Sequence, residues 1–176
     1  MDEARGELLY HNPEHFVLAN GRPFMPQPKP RGIRIGTFRQ CFDNAFRLAR
    51  RRNLIYVEGY AVRMIGDWRS YEVLHAWCST PDGLVIDNTW NEGLEYFGVP
   101  LDLEFVERIR ETSDEFSVLE NWKLGHPVLW SGTTGWKYTG DIEPSTHNPT
   151  NLIGWLKATT EYICAQAEAN RLQKSQ

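Results

Sequence analysis

Three positions in this sequence have side chains suited to nucleophilic chemistry together: Cys41, His75 and, further along, Asp87 or Asn88. A thiolate is a strong nucleophile, and an imidazole moves protons near neutral pH. A carboxylate beside the ring fixes its tautomer and orientation. Cys41 falls in the first turn of an expected helix, where unpaired backbone N–H groups and the helix dipole favour an anion. The adjacent Arg39 acts in the same direction. The same position also suits a small buried core thiol, the commoner fate of a free cysteine.

His75 precedes Pro81-Asp82-Gly83, a strong turn signal that folds two runs into an antiparallel hairpin. With Pro81 and Asp82 near the centre, residues whose numbers sum to about 162–163 face one another, which sets His75 against Asp87 or Asn88. Directly opposed residues project from one face, so a carboxylate or an amide stands beside the imidazole. That is the base-and-orienter half of a triad. A histidine satisfied by a cross-strand acid, with no nucleophile near it, uses the same residues.

Several elements must position these groups. Residues 1–37 read as an irregular arm, because Pro23, Pro26, Pro28 and Pro30 forbid a regular helix. A helix is expected over 38–52, with Thr37 as N-cap, Gln40 completing a capping box, and Arg50, Arg51 and Arg52 in the last turn. Strands are expected over 54–64, 71–79 and 84–89, and a short apolar segment over 96–100. Weaker helical patterns cover 101–110 and 118–123, and 132–149 is turn-rich. A last helix is expected over 151–172, with Leu152, Leu156, Ile163 and Ala167 on one face. The 176 residues fit a single α+β domain, with no repeat and no second domain.

Composition removes several classes. The chain is 41% hydrophobic and 12% aromatic, too apolar for a disordered protein. No run approaches the roughly 20 apolar residues that span a bilayer, so no membrane partner is expected. Residues 1–20 lack the apolar core of a secretory signal. Three cysteines without paired spacing point to reduced thiols and an intracellular protein. The net charge of −4 hides an asymmetry: from Arg22 to Arg52 nine basic residues face one acid, Asp43, a local +8 that leaves −12 elsewhere. Such a segment suits an acidic partner or nucleic acid, although the two halves can also neutralise each other across the fold.

Four segments carry a resemblance: Gln40-Cys41-Phe42-Asp43-Asn44-Ala45; Tyr56-Val57-Glu58-Gly59-Tyr60-Ala61; His75-Ala76-Trp77 with Val85-Ile86-Asp87-Asn88-Thr89-Trp90; and Tyr96-Phe97-Gly98-Val99-Pro100. The order resembles the papain-like fold in its wide sense, with its transglutaminase-like and arylamine-acetyltransferase-like branches. More closely, the segments resemble a group of small bacterial and phage-encoded proteins. The resemblance covers about residues 39–100. It implies a helix carrying Cys41 packed on an antiparallel sheet carrying His75 and Asp87, with those three as nucleophile, base and orienter. It also implies a cytoplasmic protein of a bacterial cell or a phage-infected host. Relatives often have proline where this chain has Asn88, which leaves open whether Asp87 or Asn88 holds the ring. Papain's oxyanion glutamine does not transfer, since position 35 is isoleucine. The Cys41 backbone N–H is the candidate oxyanion donor, with Gln40 beside it.

Other residues take secondary places. Glu58 could line the site or neutralise an arginine, and Trp77 could wall the site or fill the core. Trp90 could wall the site in the same way, although the core is its expected place. Cys78, three residues along the strand from His75, should point to the opposite face. Cys164 is expected in the core. No metal-ligand spacing is present, and neither a metal nor another cofactor is expected. Two functions follow. One is a cysteine hydrolase or acyltransferase working on a peptide, protein or small amide or thioester substrate. The other is a silent binding module or phage or host-defence accessory protein using residues 22–52 to hold an acidic partner, with nucleic acid disfavoured because aromatic rings are not interleaved there.

Overall fold

The computed structural model describes residues 6–65, 69–91 and 93–174. Its order is α1 (Pro13–Asn20), β1 (Arg22–Phe24), α2 (Cys41–Arg52), β2 (Ile55–Ile65), β3 (Arg69–Ser79), β4 (Val85–Ile86), β5 (Glu95–Leu101), α3 (Leu103–Ser113), a 3-10 turn (Pro127–Leu129) and α4 (Thr150–Lys174). The architecture is α+β. One antiparallel sheet runs in the order β1-β5-β2-β3-β4.

The sheet curls, and its two ends meet. Met25, just past β1, forms a bridge with Leu84, just before β4. The Met25 N–H donates to the Gly83 carbonyl, and the Val85 N–H donates to the Met25 carbonyl. Strand alternation then separates two cores. Ile55, Val57, Ala61, Trp77 and Tyr96 join Phe24, Val85 and Trp90 on one face. Tyr56, Tyr60, Ala76, Cys78 and Val99 face the other way, against Ala45, Phe46, Leu48 and Ala49 of α2 and Leu152 and Leu156 of α4.

Several sequence expectations are corrected. The arm over 1–37 is not wholly irregular. Asn12 caps α1 by accepting from the His15 N–H, and Pro13 takes the first helical position, where no N–H is needed. The proline series begins only at Pro23, on edge strand β1, where a missing donor is tolerated. The main helix starts at Cys41 rather than 38. Gln40 is its N-cap residue without a side-chain cap bond, and its N–H donates to the Thr37 carbonyl, so the capping box is not built.

The strand expected over 84–89 pairs with β3 only at Val85 and Ile86, with Leu84 bridged to Met25. Asp87 takes the Thr89 and Trp90 N–H groups on its own carboxylate, which turns the chain out of the ladder. Residues 118–123 are not helical. Glu58 takes the Val118 and Leu119 N–H groups, while Ser117 and Asn121 accept from Glu120 and Leu124. The remaining strands and helices fall within a few residues of expectation, with α3 capped by Asp102. Only the first half of α4 is covered: Leu152, Leu156 and Thr160 are buried, but Cys164 is half-exposed rather than core.

A glycine pair makes room for the site. Gly59 is flanked by His75 on one side and Gly98 on the other. A Cβ on Gly59 would lie 2.3 Å from the Gly98 Cα, and one on Gly98 would lie 2.6 Å from the Trp77 ring. The gap lets the indole lie flat across the sheet, where His75 stacks against it. Gly59→Ala is expected to destabilise the fold by about 1–3 kcal/mol, read as a lower urea midpoint with unchanged slope.

Candidate active site

His75 sits near the middle of β3. The β3–β4 ladder covers only Cys78 and Ser79, so β3 has no strand neighbour on that side at His75. Its observed register, Cys78 with Ile86 and Ser79 with Val85, differs by about one residue from the expected pairing. His75 therefore meets Asp87 beyond the end of the ladder rather than as a cross-strand pair. Nε2 of His75 lies 2.7 Å from Oδ2 of Asp87. The orienter is the carboxylate. Asn88 turns the other way, and its Nδ2 donates to the Asn44 carbonyl.

Asp87 is held at both oxygens. Oδ2 also accepts from the Tyr96 hydroxyl at 2.9 Å, while Oδ1 accepts from the Thr89 and Trp90 N–H groups. The Trp90 ring covers the imidazole almost face to face, with centroids 3.8 Å apart and planes 7° apart. Trp77 and Tyr96 flank it at 6.3 and 6.5 Å. His75 is 1% exposed and Asp87 3%.

Burial alone would push the imidazole down. The Asp87 charge and hydrogen bond outweigh it, Cys41 adds to them through a side-chain hydrogen bond and charge, and the pKa of His75 rises to about 9. Burial likewise opposes ionisation of Asp87. The charge and hydrogen bond of His75, with the Trp90 and Thr89 N–H groups, still hold its carboxyl below the usual range.

Cys41 opens α2 and is partly exposed. With Nε2 engaged by Asp87, Nδ1 is the ring nitrogen left for the thiol. The chain enters the helix through Arg39 in the left-handed region, φ 63°, a strain of about 1–2 kcal/mol beside the thiol. Asn44, one turn on, fixes this entry. Its Oδ1 accepts from the Thr37 N–H, and its Nδ2 donates to the Thr37 carbonyl and to the Thr89 hydroxyl. One side chain thus ties the approach to Cys41 to the turn that carries Asp87.

The secondary candidates divide. Gln40 is exposed next to Cys41. Trp77 is fully buried, so it is part of the imidazole's floor and not a substrate wall. Glu58 neither lines the site nor meets an arginine. It is fully buried on the α2 side of the sheet and accepts from Tyr56, Ser117, Val118 and Leu119. Burial, opposed by those donors, raises its pKa. Cys78 is buried under α2, where its thiol donates to the Ala45 carbonyl.

Tyr96, a second donor to Asp87, was missed from the sequence, and Trp90, weighed between site wall and core, covers the ring. The spacing Asp87-x-x-Trp90 was the available signal, since an Asx turn brings the third residue back over the carboxylate. Among the described residues, no group of three His, Cys, Asp or Glu side chains gathers to hold a metal ion. No helix among them is long and apolar enough to cross a membrane. Compared with known proteins, the chain shows no significant match to a family model, a curated protein or a solved structure.

The linked pair makes a signed prediction. His75 is raised above its ordinary 6.5, so its stabilising contribution is full below pH 6.5 and is lost as pH rises through about 9. Asp87 is lowered from 3.8, so its contribution is full above that value and is lost as pH falls through the lower, folded pKa. Thermal stability from this pair should be greatest between about pH 4 and 6.5. In Asp87→Asn the burial effect is opposed only by Cys41, so imidazole NMR titration should show the His75 pKa falling well below about 9.

Proposed function

We infer that this chain is a cysteine-dependent hydrolase or acyltransferase acting on an amide or thioester carbonyl. The observation that carries this reading is the buried imidazole gripped at Nε2 by Asp87, with the Cys41 thiol near enough for its charge to raise the pKa of the ring. A histidine kept only for packing needs no thiol at a helix N-terminus as its second partner. The order helix-borne Cys41, strand-borne His75 and turn-borne Asp87 is also the one expected of a papain-like or transglutaminase-like architecture.

In this mechanism Cys41 Sγ attacks the carbonyl carbon as a thiolate paired with the His75 imidazolium. The carbonyl oxygen gains the negative charge. Cys41 is the first residue of α2, where backbone N–H groups lack intrahelical acceptors, so its own N–H is placed to receive that charge. Imidazolium gives its proton to the leaving amine or thiolate, and an acyl-thioester remains on Cys41. Neutral His75 then takes a proton from water, or from an acceptor amine, as that group attacks the thioester; the C–S bond breaks, the acyl product leaves, and the Cys41 thiolate and His75 imidazolium are restored. Asp87 keeps its charge throughout and holds the ring.

Iodoacetamide labelling with peptide mapping tests the reading. Cys164 is the proper control, because it is about as exposed as Cys41, whereas Cys78 is shielded. At pH 6, Cys41 should react about tenfold or more faster than Cys164, and His75→Ala should remove most of that advantage. Equal slow labelling of Cys41 and Cys164 would overturn the proposal. Once a substrate is in hand, Cys41→Ser should lower turnover by at least about a thousandfold.

A further inference from the structure

The outer side of α2 carries a groove that the proposed chemistry does not use. One hollow of about 390 Å³ lies between α2 and residues 34–37, and its lining includes Arg34, Ile35, Arg47, Arg51 and Asn88. A second, of about 550 Å³, is lined by Gly32, Arg34, Arg51 and Arg52. The two share Arg34 and Arg51, so they adjoin along the outer side of α2 and are taken together as one groove. No acidic residue lines either part. Arg47 is neutralised by Asp43. Arg34, Arg51 and Arg52 are exposed, and among the described residues none of them has an ion-pair partner.

Two residues of the groove's lining are chain neighbours of site residues. Asn88 follows the orienting Asp87, and Asn44, also in the lining, is one turn from Cys41. From Asn44 to Arg52 the helix advances about 12 Å, the length of roughly four residues of extended peptide. The exposed side chains of Ile35 and Phe38 stand on the approach to Cys41, 53% and 70% accessible. The apolar members of the groove, Ile35 and Leu48, are aliphatic. No aromatic ring lines it, and bases would lack a stacking surface. The acidic remainder of the chain repels an anionic partner elsewhere and so directs it here.

We propose that this groove binds an acidic peptide segment of the substrate, carboxylates on Arg34, Arg51 and Arg52, and delivers the adjoining carbonyl to Cys41. This assignment of substrate class rests on the acyl-transfer reading above. Apolar side chains next to the acidic run would meet Ile35 and Phe38.

Fluorescence anisotropy on the full chain carrying Cys41→Ala tests binding without turnover. The probes are a short fluorescein-labelled peptide rich in glutamate with one leucine, its glutamine counterpart, and single-stranded oligothymidylate. The glutamate peptide should bind best and weaken as salt screens the charges. Arg34→Glu with Arg51→Glu should weaken it roughly tenfold or more. Both arginines are exposed, and the milder Arg34→Gln with Arg51→Gln pair, checked by circular dichroism, should move affinity in the same direction. Equal binding of the glutamine peptide, tighter binding of oligothymidylate, or indifference to the arginine variants would each overturn the proposal. Loss of peptide binding with selective Cys41 alkylation intact defeats only the groove. Loss of selective alkylation with binding intact defeats the acyl-transfer reading and leaves an acidic-peptide groove.

Discussion

Burial of the His75–Asp87 pair is the constraint on which the rest depends. Two ionisable groups this far from water are tolerable only when every polar atom has a partner and the charges compensate each other. Asp87 meets that demand with four donors: the imidazole, the Tyr96 hydroxyl and two backbone N–H groups. One of those N–H groups belongs to Trp90, whose ring covers His75. The residue that orients the imidazole therefore also places the ring that shields it. The same turn ends β4 after two residues and leaves β3 open beside His75.

A comparison with Glu58 shows what the cation does. Both carboxylates are buried and richly hydrogen-bonded. Glu58 has only neutral donors, and burial raises its pKa. Asp87 has an imidazole, and its pKa falls. The first carboxylate is a structural latch that holds the chain around 117–119 against β2. The second is a charge kept in place for the ring. Sequence alone offers two acids in apolar surroundings; the nature of the partner separates their roles.

The thiol end of the site is built by a different device. Asn44 holds the entry to α2 and the Thr89 hydroxyl at once, and Asn88 returns a hydrogen bond to the Asn44 carbonyl. Helix start and acid-bearing turn are thus tied to each other. Asp43 meanwhile draws Arg47 and Arg110 into its own ion pairs. Among the described residues Arg34, Arg51 and Arg52 have no ion pair and line the outer groove, while Arg39 lies over the Phe38 ring. The basic character of residues 22–52 is consequently not dispersed: part of it braces the helix and part faces solvent.

The sequence by itself determined the elements whose signals are local. Periodicity set α2 and α4, β-branched and aromatic runs set β2 and β3, and Pro81-Asp82-Gly83 set the turn between β3 and β4. It also brought Cys41 and His75 forward with Asp87 or Asn88, because helix start, strand and turn each restrict where a side chain can stand. What it left open needed three-dimensional competition for hydrogen-bond donors. The choice of Asp87 over Asn88, the early end of β4, the non-helical run at 118–123 and the absent capping box all turn on which acceptor captures a given N–H. The cover by Trp90 and the second donor from Tyr96 depend on the sheet's curl, which brings residues distant along the strands onto one ring. Local propensity sees one residue's neighbours along the chain; only the tertiary structure decides which buried donor finds which acceptor.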